Sequence, residues 1–241
     1  MPGGHGCLFL SAKVEIRRAS LDTCAGATGT VVVIDVLRAF STAAYAFAAG
    51  ASEILLVSTV DEALSLRAQR LGSLAMGEVG GLKPERFDYG NSPYEISVQD
   101  FAGQPLIQRT SAGTQGVVRS SRADTLLASS FVCARATADF IGRHAPEIVT
   151  FVITGLGPEG RGDEDAACAD YIEALLRGES LDIQKFVGRV RNSTDGRALA
   201  APDLPEMLAF DLEYCLMVDR FDFVLQVRRR NGVLIMKPVH P

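Results

Sequence analysis

The run Val31-Val32-Val33-Ile34-Asp35-Val36-Leu37-Arg38-Ala39 sets four successive β-branched aliphatic residues ahead of a carboxylate. A strand with one wet face alternates apolar and polar residues, whereas an unbroken apolar run needs apolar cover on both sides. The stretch therefore predicts a strand inside a largely parallel sheet with helices on both faces. It also makes Asp35 conspicuous. An isolated buried charge is costly, so Asp35 has to be paired, bound to a metal or placed where the strand meets solvent.

Comparable short runs recur along the chain. Candidate strands are Val31–Val36, Ile54–Val57, Leu74–Met76, Pro105–Gln108, Thr125–Leu127 and Ile148–Ile153. Helical patterns lie between them at Thr42–Ala49, Asp61–Leu71, Thr114–Ser121, Ala134–Gly142 and Glu164–Leu176. Six such strands are too few for an eight-fold barrel, so the expected fold is a three-layer α/β sandwich. Towards the end the pattern changes. Pro205–Val218 reads as a helix, and Phe221–Arg228 with Val233–Val239 reads as a C-terminal antiparallel hairpin turning at Asn231-Gly232. With no Pro-, Gly- or Ser-rich linker and no internal repeat, one domain over residues 1–241 with an antiparallel appendage is expected.

Composition excludes several classes. A hydrophobic content of 47% supplies a substantial core, and a net charge of -5 argues against a nucleic-acid partner. The Arg228-Arg229-Arg230 cluster reads as the solvated end of the hairpin. No apolar run approaches a membrane span, and Met1 to Gly6 lacks a signal-peptide pattern. Five scattered cysteines with no C-x-x-C pair argue against a disulfide framework or zinc ribbon, and a cytoplasmic location is expected.

The polar residues fall at the ends of the candidate strands. Asp35 and Arg38 follow the first, Gly77-Glu78 the third, Arg109-Thr110-Ser111-Ala112-Gly113-Thr114 the fourth, and Gly155, Gly157 and Asp163-Glu164-Asp165 the last. Ligands of open α/β sheets bind beyond the carboxyl ends of the strands, so this is the composition of an active site. Each element has a structural alternative. Asp35 is a metal ligand or general base, or else a surface Asp or a structural partner of Arg38. Ser41 and Thr42 cap a helix or offer hydroxyls to an anion. Thr110 to Thr114 form a phosphate cradle or an ordinary capped turn; without G-K-[ST] they are not a Walker A loop. Asp163, Glu164 and Asp165 offset a helix macrodipole, worth about 0.3–1 kcal/mol each, or turn a carboxylate into the pocket. In Phe87-Asp88-Tyr89-Gly90-Asn91-Ser92-Pro93-Tyr94-Glu95, Ser92 reads as N-cap, Pro93 as first helical residue and Glu95 as the far side of a capping box. That leaves Asp88 and Asn91 unexplained.

Absent residues narrow the chemistry. The histidines are His5, His144 and His240, all away from the strand-end motifs, which disfavours His-based triads and phosphohistidine chemistry. No C-x5-R loop is present, and Asp35-Val36-Leu37 lacks the second Asp of D-x-D phosphatases. Carboxylates, hydroxyls and arginines remain. That set suits Mg²⁺, which binds through one or two carboxylates plus a substrate phosphate.

At Asp35-Val36-Leu37-Arg38-Ala39, Gly77-Glu78, Phe87 to Glu95, Thr110 to Thr114 and Glu164-Asp165 the chain resembles the 2-phosphosulfolactate phosphatase family, the ComB-like proteins. Weaker echoes follow at Ser193–Leu199 and Asp211–Cys215. The resemblance implies a Mg²⁺-dependent phosphatase acting on a small anionic phosphoester, a phosphorylated sulfonated hydroxy acid of a coenzyme M type pathway. It implies catalytic roles for Asp35, Arg38, Glu78, Asp88 and Asn91. Asp35, Glu78, Glu164 and Asp165 are the implied metal ligands. Ser41, Thr42, Arg109, Thr110, Ser111, Gly113 and Thr114 are the implied substrate contacts, with Arg38 and Arg109 holding anionic groups. A homodimer is the expected assembly, with no nucleic acid and no membrane. The chain departs from the family pattern at Phe40-Ser41-Thr42 and at Ala112, where the family favours threonines and Asn. The Ala112 departure favours the alternative, a non-catalytic binder of an anionic metabolite on the same scaffold.

Overall fold

Every residue of the strand at Thr30–Ile34 is buried, and its side chains divide between two layers. Val31 and Val33 enter one apolar cluster, Val32 and Ile34 another on the opposite face. The computed structural model describes residues 14–155, 161–201 and 206–241; His5, Cys7, Gly157 and Pro205 lie outside the described residues. In chain order the strands are β1 (Glu15–Ser20), β2 (Thr30–Ile34), β3 (Glu53–Leu56), β4 (Leu74–Gly77), β5 (Pro105–Arg109), β6 (Thr125–Ser129), β7 (Ile148–Ile153), β8 (Val224–Arg230) and β9 (Val233–Val239). They form one nine-stranded sheet in the order β1-β7-β2-β6-β8-β9-β3-β5-β4. The helices are α1 (Ala39–Ala48), α2 (Val60–Gln69), α3 (Pro93–Ser97), α4 (Gly113–Arg119), α5 (Ala134–His144), α6 (Asp163–Leu176), α7 (Ile183–Asn192), α8 (Thr194–Leu199) and α9 (Glu206–Cys215). The fold is α/β with a mostly parallel sheet and a C-terminal antiparallel hairpin.

The hairpin turns at Asn231 and Gly232, both at positive φ, as a two-residue turn matched to strand twist requires. It is not an appendage. β8 pairs antiparallel with β6 and β9 pairs antiparallel with β3, so the ribbon sits in the middle of the sheet. A lone hairpin is marginal in water, and here both edges find a ladder. The insertion has a directional consequence. β1, β7, β2 and β6 form one parallel block, and β3, β5 and β4 another. Three successive antiparallel pairings between them make the two blocks run in opposite senses.

Sheet twist offsets the reversal. At roughly 20–25° per strand, the five steps from β2 to β5 rotate the chain direction by about 100–125°, leaving the two strands about 55–80° apart. Their carboxyl ends can then approach each other over one face. That face holds α1, whose residues Ala39–Phe47 are all buried. A helix apolar all round belongs in an interior. It packs on Val31, Val33 and Val152 of the first block, Ile54, Met76 and Leu106 of the second, and Leu225 and Met236 of the ribbon. On the other face α5 and α6 cover the first block and α2 covers the second.

Three elements fall outside the sequence expectation. β1 is an edge strand whose charges hide its pattern: Glu15 and Arg17 pair at 2.8 Å, and Arg18 reaches Asp170 and Glu173 of α6. The helices α7 and α8 lie in a polar stretch without a long apolar period. Among the described residues no helix is long and apolar enough to cross a membrane.

Candidate active site

Asp35 is the first residue beyond β2. Its N–H still donates to Ser129 O at 3.3 Å, while its Oδ1 accepts from the Ala39 N–H at 2.9 Å and so caps the start of α1. The Leu37–Arg38 peptide between them is cis. Gly113, which opens α4 after β5, packs directly against this corner. A Cβ there would fall 2.8 Å from Asp35 Oδ2 and 2.7 Å from Ala39 Cβ. The two oppositely directed blocks thus meet at Asp35.

Three further acids converge on it. Asp165 Oδ1 accepts from the Val36 N–H at 2.8 Å, and its Oδ2 accepts from the Gly155 N–H at 2.9 Å and the Thr154 hydroxyl at 3.2 Å. Glu164 is 3% exposed, and its Oε2 is buried with no hydrogen-bond partner. Glu78 accepts from the Ser111 N–H at 2.5 Å, the Gly81 N–H at 2.7 Å and the Ser111 hydroxyl at 3.0 Å. Asp163 instead faces outward, paired with Arg189 at 2.6 Å.

Burial is the main force on these groups, and mutual repulsion adds to it. The Asp35 carboxyl is pushed up to about 6 by desolvation, with the Glu78 charge adding to the rise against the opposing Ala39 and Gly113 N–H groups. Glu164 is pushed up to about 7, again by desolvation first, then by Asp195 and Asp35. Asp165 rises well above the usual carboxylate range through burial, Asp35 and Glu164.

The expected cation for Asp35 is engaged elsewhere. Arg38 Nη1 donates to Asp211 Oδ2, and Asp211 Oδ1 also accepts from the Ser92 hydroxyl at 2.6 Å and the Tyr94 N–H at 3.0 Å. Asp35 is therefore not the structural partner of Arg38. Arg109 donates to the carbonyls of Ser58 at 3.2 Å and Glu78 at 2.7 Å, tying the ends of β3, β4 and β5 together.

Several hydroxyls are committed to the backbone. Ser41 donates to Val36 O at 2.8 Å. Thr110 Oγ1 accepts from the Thr114 N–H at 3.0 Å while Thr114 Oγ1 accepts from the Thr110 N–H at 2.8 Å. That reciprocal cap makes Thr110 to Thr114 an ordinary capped turn. Ser111 stays exposed at the rim, bonded to Glu78. Thr42 Oγ1 and Asn91 Oδ1 are buried without partners. Asp88 is not brought to the acids: it pairs with Arg67 at 2.9 Å and accepts from the Ala75 N–H at 2.7 Å, near the start of β4. Ser92 and Pro93 cap and open α3 as expected, but Glu95 accepts from the Gly90 N–H at 3.0 Å rather than closing a box on Ser92.

Sequence reasoning missed two supporting residues. Asp211 carried only a weak echo, because its role depends on contacts 173 and 119 positions away. Gln108 is fully buried in β5 and donates to Ala39 O at 2.9 Å, joining the second block to the start of α1. A lone Gln inside an apolar strand run was the available signal.

Among the described residues, no three His, Cys, Asp or Glu side chains form a ready-made metal cage. A hexahydrate-like cation needs less. Mg²⁺ keeps several waters and takes one or two carboxylates plus substrate oxygens. Asp165 and Glu78 each spend both oxygens on N–H and O–H donors. Glu164 Oε2 is the unpartnered oxygen, and Asp35, whose Oδ2 lies against Gly113, repels Glu164 within the same acidic cluster. Buried like charges without a paired cation fit a bound divalent ion.

A family model for 2-phosphosulpholactate phosphatase matches residues 18–230. The chain is similar to proteins named "Probable 2-phosphosulfolactate phosphatase" from several organisms. The one from Bacillus subtilis (strain 168) is 33% identical over 205 residues, covering 84% of this chain and 88% of the relative. The one from Carboxydothermus hydrogenoformans is 35% identical over 221 residues, covering 86% and 90%. The one from Synechocystis is 34% identical over 236 residues, covering 89% and 92%. With the motifs at Asp35–Ala39 and Glu164-Asp165 gathered at one corner of the sheet and Ser92 tied to Arg38 through Asp211, the chain belongs to the 2-phosphosulfolactate phosphatase family.

Proposed function

We propose that the protein is a Mg²⁺-dependent phosphatase of a small anionic hydroxy acid ester, converting 2-phosphosulfolactate and water to sulfolactate and phosphate. Family membership supports the phosphoester class. The observation that carries the metal is the buried, unpartnered Glu164 Oε2 in a cluster of mutually repelling carboxylates, with the guanidinium of Arg38 already committed to Asp211.

Asp35 and Glu164 are the residues that would hold the ion. When bound, Mg²⁺ neutralises phosphate charge and fixes the geometry of displacement. The protein's own groups supply the frame. Asp165 locks the Val36 and Gly155 N–H groups, so the loops after β2 and β7 keep their spacing. The Ala39 N–H fixes the rotation of the Asp35 carboxylate. Glu78 holds the Ser111 turn, and Arg109, fixed through backbone carbonyls rather than a carboxylate, keeps its charge for an anionic substrate group. In the net reaction a P–O bond forms to water, the ester P–O bond breaks, and the leaving hydroxy acid takes a proton.

Phosphate release from 2-phosphosulfolactate and from matched non-sulfonated esters, with Mg²⁺ and with excess chelator, tests the reading. Turnover that needs Mg²⁺ and favours the sulfonated ester is expected. Full activity in chelator overturns the metal assignment, and no hydrolysis of any ester overturns the enzyme.

A further inference from the structure

On the face of the sheet away from α1 the apolar cover is interrupted. One cluster lies under α5 and α6, another around Leu55, Ala63 and Ile107 under α2. The middle of the β8–β9 ribbon is open on that face: Arg228 and Lys237 are exposed, and Gln226 and Ile235 are half-buried. An antiparallel ribbon can leave one face to solvent, and here the open face lies between two parallel blocks that are both covered. The gap is a groove of ≈ 420 Å³ whose lining includes Arg228, Arg229, Arg230 and Lys237, with Ile235 in its floor and Glu53 at its side.

Register explains why the charges gather there. Gln226 lies opposite Lys237 and Arg228 opposite Ile235, and side chains two apart on one strand share a face. Arg228 and Arg230 therefore stand side by side, about 7 Å apart along the strand. Neither has a carboxylate partner among the described residues, and Arg229 only donates to Gly232 O at 3.4 Å. Glu53 is the acid in the groove, and it is already shared between Lys237 at 3.3 Å and Arg70 at 2.9 Å. On a chain of net charge -5 this leaves a concave site with an excess of unpaired guanidinium groups. Guanidinium groups in a row match multiply charged oxyanions.

We propose that this groove is a second ligand site, separate from the acidic cluster, that binds a small organic anion carrying two or more phosphate or carboxylate groups. The apolar Ile235 and Pro238 beside the cations favour a ligand with a carbon frame between its charged ends. The volume lies within the range of small-molecule sites, about 300–1,000 Å³.

Calorimetric titration of the metal-free full chain with inorganic pyrophosphate tests the proposal, because pyrophosphate carries the charge without needing the frame. The double variant Arg228→Gln, Arg230→Gln should weaken one binding event at least tenfold and leave phosphatase turnover unchanged. Arg109→Gln, at the carboxyl end of β5 where it donates to Glu78 O and outside the groove lining, should leave that event intact. Both substituted arginines are exposed strand residues, so the double variant should fold; an unchanged melting temperature checks this. If it does not fold, Arg228→Ser and Arg230→Ser made singly serve instead. Equal affinity in wild type and variant, no binding at millimolar pyrophosphate, or loss of all binding in Arg109→Gln alone would overturn the second site.

Discussion

The guanidinium of Arg38 donates to Asp211, on a helix 173 positions later, and not to Asp35, three positions before it. Asp211 has no exposed surface, and the Arg38 side chain is 12% exposed. Removing one partner of such a pair strands the other charge. Asp211→Asn should therefore lower stability by about 3–5 kcal/mol, the range for a broken buried pair. Asn can still accept from Ser92 and Tyr94 through its oxygen, while its NH2 cannot accept from Arg38, so the charge and that one hydrogen bond are removed. Urea unfolding measures it, and a loss below about 1 kcal/mol would show that the pair is effectively solvated.

Gly113 is the contact through which the two parallel blocks meet. Its φ is ordinary, so alanine is admissible to the backbone, but the new Cβ would press on Asp35 Oδ2 at 2.8 Å and Ala39 Cβ at 2.7 Å. Overpacking of this kind typically costs about 1–3 kcal/mol. Gly113→Ala should thus lose stability on that scale and lose turnover by a larger factor than stability alone explains, because Asp35 is displaced. Steady-state kinetics on fully folded protein checks it. Normal turnover with a lowered melting temperature would separate Gly113 from the chemistry.

The acidic cluster predicts an unusual pH slope for the metal-free protein. Asp35 and Glu164 hold protons up to about 6 and about 7 in the fold, above the ordinary carboxylate range of the unfolded chain. Across that window the folded state binds more protons than the unfolded state, so stability falls as pH rises. In chelator the melting temperature should be higher at pH 5 than at pH 7.5. Saturating Mg²⁺ should flatten the slope, and a Glu164→Gln, Asp35→Asn double variant should reduce it, leaving the part that comes from the burial of Asp165. A melting temperature in chelator that rises from pH 5 to 7.5 would mean that these carboxylates are not held protonated.

Much of this arrangement is legible in the chain itself. The Val31–Ile34 run announces a doubly covered strand because both its faces are apolar, and Asn231-Gly232 announces the hairpin because only such residues accept its turn. Convergence of Asp35, Glu78, Glu164 and Asp165 follows from their place at strand ends. What periodicity cannot convey is pairing order. Nothing local to Val224–Val239 says that the ribbon enters the middle of the sheet, since the choice between edge and centre is made by β6 and β3. Partner identity is hidden for the same reason: Arg38 meets Asp211, and Asp88 meets Arg67, through tertiary placement rather than spacing. Local competition explains Thr110 and Thr114, whose hydroxyls are as well suited to each other's N–H groups as to a phosphate.

Asp35→Asn offers the most direct test, read as phosphate release from 2-phosphosulfolactate in saturating Mg²⁺ together with melting temperature and Mg²⁺ affinity. The amide keeps the shape and can still accept from the Ala39 N–H, and Arg38 keeps Asp211, so the fold should persist. Turnover should drop by more than the roughly 10–100-fold typical of residues that merely support a metal ligand, with Mg²⁺ binding weakened in parallel. The metal-free protein should melt close to the wild type, since the repelling charge removed from a buried cluster offsets the Gly113 N–H bond that the amide NH2 cannot accept. Near-normal turnover and Mg²⁺ affinity in Asp35→Asn, with a lowered melting temperature, would contradict the assignment of Asp35 to the metal.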